Sequence, residues 1–115
     1  MSQKRERLRV MKPAARAAVF AALGDETRLA LVARLAGGES RSIAELTVGC
    51  GVTRQAVTKH LRVLERAGIV RSVRSGREAL FAFDPGPVRE VNAYLEEVGR
   101  QWEDALGRLK AFVEG

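Results

Sequence analysis

TRQAVTKHLRVLERAGIV, residues 53–70, contains a capped helix, its stop and the first step into a strand. Thr53 stands just before a run of helix formers, where a hydroxyl oxygen accepts from the amides of the first turn. Val57, Leu61 and Leu64 follow at spacings of four and three, which places them on one buried stripe. The helix runs to about Ala67, and Gly68 ends it. Arg54, Gln55, Thr58, Lys59 and Arg62 project from the other side. A guanidinium offers two parallel donors to guanine, and a carboxamide pairs with adenine. Thr58 is short enough to approach a thymine methyl or a phosphate, while Lys59 and Arg62 suit the phosphate backbone.

Working upstream, Gly49-Cys50-Gly51-Val52 forms a tight glycine-containing turn, preceded by a short helix from Ser42 through Ile43, Leu46 and Val48. A short helix and a glycine turn ahead of a capped second helix is the helix-turn-helix arrangement, whose second helix enters the major groove. Two earlier helices are expected. One follows Pro13, with Val19, Phe20 and Leu23 on its apolar face, and stops at Gly24. The other is capped by Asp25, carries Leu29, Leu31, Val32 and Leu35, and breaks at Gly37-Gly38.

Downstream, Ile69 to Phe83 reads as a hairpin around Ser75-Gly76, with Ala79, Phe81 and Phe83 alternating towards the helices. Arg71, Arg74 and Arg77 crowd this strand pair, which has no structural need of three arginines; a wing laid beside a duplex does need them. Asp84-Pro85-Gly86-Pro87 launches a final helix over 86–113. Val88, Val91, Leu95, Val98, Trp102, Leu106 and Leu109, closed by Val113, form a narrow seam along it at near-heptad spacing. The helix spans about 37 Å, more than so small a domain needs for its own core, so the seam is expected to dimerise. The fold expected is mainly α with a small β-hairpin, a winged helix-turn-helix of order ααααββα.

At 115 residues there is room for one domain, expected over 13–115 behind a flexible basic arm at 1–12. The net charge of +6 gathers in two blocks, residues 1–16 and residues 54–77, as a phosphate-facing footprint requires. A lone cysteine excludes an intrachain disulfide, and no apolar run reaches the ~20 residues of a membrane span, so the cytoplasm is the expected location. There is no paired Ser and His, no His cluster and no Gly-rich phosphate loop, so an enzyme is not expected.

From Ala22 to Pro85 the chain resembles the ArsR/SmtB family of bacterial winged-helix repressors. The resemblance lies in Ala22-Leu23-Gly24-Asp25-Glu26-Thr27-Arg28, in Ile43-Ala44-Glu45-Leu46, in Ala56 to Leu64 with Ala67-Gly68-Ile69-Val70, and in Gly76-Arg77, Phe81 and Asp84-Pro85. It implies a homodimer that represses by occupying an operator, an inverted repeat of double-stranded DNA. Thr53, Arg54, Gln55, Thr58, Lys59, His60, Arg62, Arg74 and Arg77 are then the expected DNA-binding residues. The metal-sensing pattern is absent. Thr47 and Gly49 stand where such members carry two cysteines, and residues 85–115 contain no histidine. Cys50 and His60 alone cannot fill a closed tetrahedral site, so no metal or other cofactor is expected.

Cys50 is read as a small buried filler in preference to a redox switch, and Trp102 as dimer core in preference to the lining of an effector pocket. His60 has two readings, a DNA contact or a support beside Leu61. No residue identifies an inducer. Two other classes remain in view: a winged-helix module that docks a protein or RNA without operator specificity, and a membrane-surface protein using the basic arm.

Overall fold

A computed structural model describes residues 11–115. The arm expected at 1–12 falls outside the described residues but for its last two, and of these Met11 already packs against the core. Helix α1 (Pro13–Leu23) begins with proline in its first turn, and α2 (Glu26–Leu35) follows after Gly24 and Asp25. The Asp25 carboxylate accepts from the Arg28 amide at 3.0 Å, the capping bond expected of it. Strand β1 (Arg41–Ser42) leads into α3 (Ile43–Thr47), then α4 (Arg54–Arg66), β2 (Val70–Ser75), β3 (Glu78–Phe83) and α5 (Pro85–Glu114).

The order is the expected one with a two-residue strand added. Ser42 stands before α3 as its cap: its hydroxyl accepts from the Glu45 amide at 3.1 Å, and the Glu45 carboxylate accepts in return from the Ser42 amide at 2.9 Å. The sheet runs β1-β3-β2, with Arg41 opposite Phe81 and Val70 opposite Phe83. Gly76 takes φ +60° at the hairpin tip while Arg77 keeps a negative φ, the type II′ pattern that matches strand twist.

The core gathers Val19 and Ala22 of α1, Leu31 and Leu35 of α2, Leu46 of α3, and Val57, Leu61 and Leu64 of α4, closed by Ile69, Val70, Phe81 and Val91. Three apolar residues depart from their expected places. Leu29 is half exposed because it lies two residues from Leu31 and so cannot share its face. Val48 falls beyond the end of α3 and is exposed. Phe20 turns away from the core to meet Tyr94 of α5 edge-on, ring centroids 6.3 Å apart.

The seam on α5 divides. Val91 is 4% exposed and Val88 partly buried, both in the protomer's own core. From Leu95 onward Trp102, Leu106 and Leu109 lie open, with Trp102 65% exposed, and only Val98 is half-buried. The molecule measures 67 Å along its long axis and 24 Å along its short one.

Candidate nucleic-acid interface

Helix α4 is held from below and presents its other side outward. Its cap is the Thr53 hydroxyl, which accepts from the Ala56 amide at 3.1 Å. Val57, Leu61 and Leu64 are fully buried, as their spacing requires. Gln55, Lys59 and Arg62 are exposed and follow at intervals of four and three, so they share one outward stripe. Arg66, part of the basic block 54–77 but not among the expected DNA-binding residues, continues that stripe four residues on as an exposed cation. Thr58, beside the stripe, is half-buried and donates its hydroxyl to the Arg54 carbonyl at 2.9 Å.

His60 turns inward, towards the junction of α1 and α2. Its Nδ1 lies 3.2 Å from the Arg28 guanidinium and 3.8 Å from the Asp25 carboxylate. Arginine only donates, so Nδ1 is the acceptor in this contact. Arg28 also donates from Nε to the Ala22 carbonyl at 2.6 Å and from Nη2 to the Ala21 carbonyl at 3.3 Å. It thereby satisfies the carbonyl end of α1 and fastens that end to α4. Of the two readings of His60, this geometry fits the supporting one. The role of Arg28 had no signal in periodicity, because its partners come from two other elements.

The turn ahead of α4 is fixed in a similar way. Arg34 donates to the carbonyls of Glu45, Leu46 and Val48 at 2.9, 2.8 and 3.2 Å, closing the end of α3. Gly49 and Gly51 adopt φ +73° and +75°, which side chains disfavour, so the glycines of this turn are required by its shape. Cys50 between them is half-buried, packs against the core and lines a cleft of about 380 Å³ with Glu26 and Arg34. Among the described residues no three His, Cys, Asp or Glu side chains gather as a metal centre demands.

The wing stands beside the start of α4. Opposed residues of a hairpin share a face, so Val70, Ser72 and Arg74 lie with Ala79, Phe81 and Phe83 on the side towards the helices. Arg71 is on the reverse side and Arg77 in the tip. Ser72 donates to the Glu65 carboxylate at 2.8 Å and ties the wing to α4.

Asp25 and Glu45, which cap α2 and α3, titrate low, as does Glu97 beside Arg100 on α5. Asp25 is held below its usual range chiefly by the Arg28 amide, and Glu45 by the amide and hydroxyl of Ser42. A depressed carboxylate stabilises the fold above its unfolded value and loses that contribution as pH falls through its folded one. Urea midpoints are therefore expected to drop on the acid side of the carboxylate range. Asp25→Asn should flatten part of that acid limb; an unchanged limb would mean that Asp25 does not contribute to it.

A capped, outward-facing helix behind a glycine turn, with an arginine-bearing wing at its side, is a winged helix-turn-helix, the arrangement of DNA-binding transcriptional regulators. Comparison with known proteins agrees. A helix-turn-helix domain family matches residues 23–73. The uncharacterized HTH-type transcriptional regulator YuzN of Bacillus subtilis is 38% identical over 80 residues, 64% of this chain and 87% of YuzN. The HTH-type transcriptional repressor SmtB of Mycobacterium tuberculosis is 33% identical over 85 residues, 74% of this chain and 61% of SmtB. Among solved structures, an ArsR-like transcriptional regulator from Rhodococcus sp. RHA1 superposes with a TM-score of 0.77 at 36% identity, covering 86% of this chain and 92% of that one. The chain belongs to the ArsR/SmtB family of winged helix-turn-helix transcriptional regulators. Among its described residues no helix is long and apolar enough to cross a membrane.

Proposed function

We propose that this regulator is a repressor that acts as a homodimer on an inverted-repeat operator. The observation that carries the reading is the outward stripe of Gln55, Lys59 and Arg62 with the wing arginines beside it. In this reading Gln55 reads a base edge, and Lys59 and Arg62 hold phosphates on either side. Arg74 and Arg77 bring the wing to the neighbouring backbone.

The exposed part of α5 supplies the second protomer's seat. Counted outward from Trp102, the apolar stripe repeats itself in both directions: Val98, Leu95 and Val91 one way, Leu106, Leu109 and Val113 the other, each at intervals of four, three and four. An antiparallel partner related by a two-fold axis at Trp102 sets Leu95 against the partner's Leu109 and Val98 against the partner's Leu106. Such a contact is isologous and closed, as a two-fold dimer requires. The partner's Phe112 then comes down near Phe20 and Tyr94, apolar surface left partly open beside α1.

Selection from a randomised duplex pool tests the reading. The expected product is an inverted repeat with half-sites about one helical turn apart and a salt slope of about −6. Gln55→Ala/Lys59→Ala is expected to weaken binding to it by roughly thirtyfold or more, measured by fluorescence anisotropy. A pool that yields no consensus, or equal binding to unrelated DNA, would overturn the reading in favour of a protein- or RNA-docking module.

A further inference from the structure

A cleft of about 280 Å³ opens between the start of α3, the first turn of α4 and the tip of the wing. Arg54, Arg74 and Arg77 line it together with Glu78 and the Ser42–Ala44 segment. Among the described residues none of these three arginines pairs with a carboxylate, Glu78 included. Three exposed guanidinium groups thus line one shallow space beside a single carboxylate. Such an arrangement is unfavourable in itself and becomes favourable when an anion enters.

Two geometric facts place these side chains there. Arg54 precedes Leu61 by seven residues, two helical turns, so it lies on the Leu61 side of α4 and not on the stripe of Gln55, Lys59 and Arg62. It sits just past the end of the core and lines the cleft beside the wing. Arg74 is opposite Ala79, on the strand face that carries Phe81 and Phe83, again one step beyond the core. One residue of α4 and two wing residues thus line one cleft.

We infer that this cleft is a phosphate site, in which Arg54, Arg74 and Arg77 together grip one backbone phosphate of the duplex. The inference rests on the DNA-binding reading above and changes one part of it: Arg54 holds backbone, and does not read guanine as its residue type alone suggests. The shared phosphate sets the distance between helix and wing, so it fixes register on the duplex without carrying sequence information. Glu78 opposes it and keeps the empty cleft from accumulating the full repulsion of three guanidinium groups.

The test combines mutant cycles with duplexes in which single phosphates are replaced by neutral methylphosphonate. Arg54→Ala and Arg74→Ala are each expected to weaken operator binding about tenfold, equally across base substitutions. The double variant should lose far less than a hundredfold, because both residues serve one anion. One methylphosphonate position per half-site should weaken the wild type about tenfold and leave Arg54→Ala unaffected. Glu78→Gln should bind about threefold tighter, a gain that misfolding cannot produce. Additive losses, or an Arg54→Ala protein that relaxes specificity at one base pair, would overturn the inference. If no duplex is bound specifically, the underlying reading fails and inorganic pyrophosphate alone decides about the cleft. Saturable shifts of the three arginine Nε–H resonances would then support a site for a free anion, and their absence would overturn it.

Discussion

Trp102→Glu is expected to leave the protein monomeric at micromolar concentration and to lower operator affinity at least about a hundredfold. Trp102 is 65% exposed in the isolated protomer, midway along an apolar stripe that is symmetric about it. On a two-fold axis the substitution acts twice, setting two carboxylates close together in a site emptied of water. Large buried aromatics at interface centres typically account for about 2–4 kcal/mol each, and the monomer also loses the second half-site, whose binding is otherwise intramolecular. Sedimentation velocity and anisotropy read the two effects separately. Trp102→Phe should retain the dimer. A Trp102→Glu protein that still sediments as a dimer would move the interface away from α5 altogether.

Leu61→Ala is expected to cost about 3 kcal/mol of folding stability. Leu61 is 0% exposed, at the centre of the stripe by which α4 rests on the core. Truncation removes apolar contacts and leaves a space that its neighbours only partly fill. For a domain this small, such a loss is a large share of the total. Urea unfolding at one fixed protein concentration measures it, because a dimer's midpoint moves with concentration. Lys59→Ala, two residues away on the exposed stripe, should change stability by less than about 0.5 kcal/mol. Similar losses for both would mean that α4 is not seated by its apolar face.

Much of this architecture was legible because it depends on local rules. The burial of Val57, Leu61 and Leu64 follows from helical period, the caps at Asp25 and Thr53 from side-chain oxygens ahead of free amides, and the hairpin from glycine at its tip. What escaped was tertiary. Strand β1 is two residues long, too short for alternation to register, and exists only because β3 offers it an edge. The seam on α5 gave no sign that Val88 and Val91 serve the protomer's own core while the residues beyond them do not, since both parts have the same spacing. His60 and Arg54 look like neighbours of the exposed stripe in sequence. Position on the helix and the elements packed beside it send one to Arg28 and the other to the wing.

The sheet order β1-β3-β2 leaves β2 as a free edge, with backbone donors and acceptors open along its outer side. An uncharged edge bearing Val70 and Val73 would be a template on which a second copy could add its own strand, and copies could go on adding. Arg71 and Arg74 interrupt that edge with charge on both faces. On the proposed DNA-binding reading Arg74 therefore serves twice, holding the duplex and guarding the edge against aggregation. Removing it to relax DNA binding would also bare the edge, which ties the solubility of the wing to its affinity for polyanions.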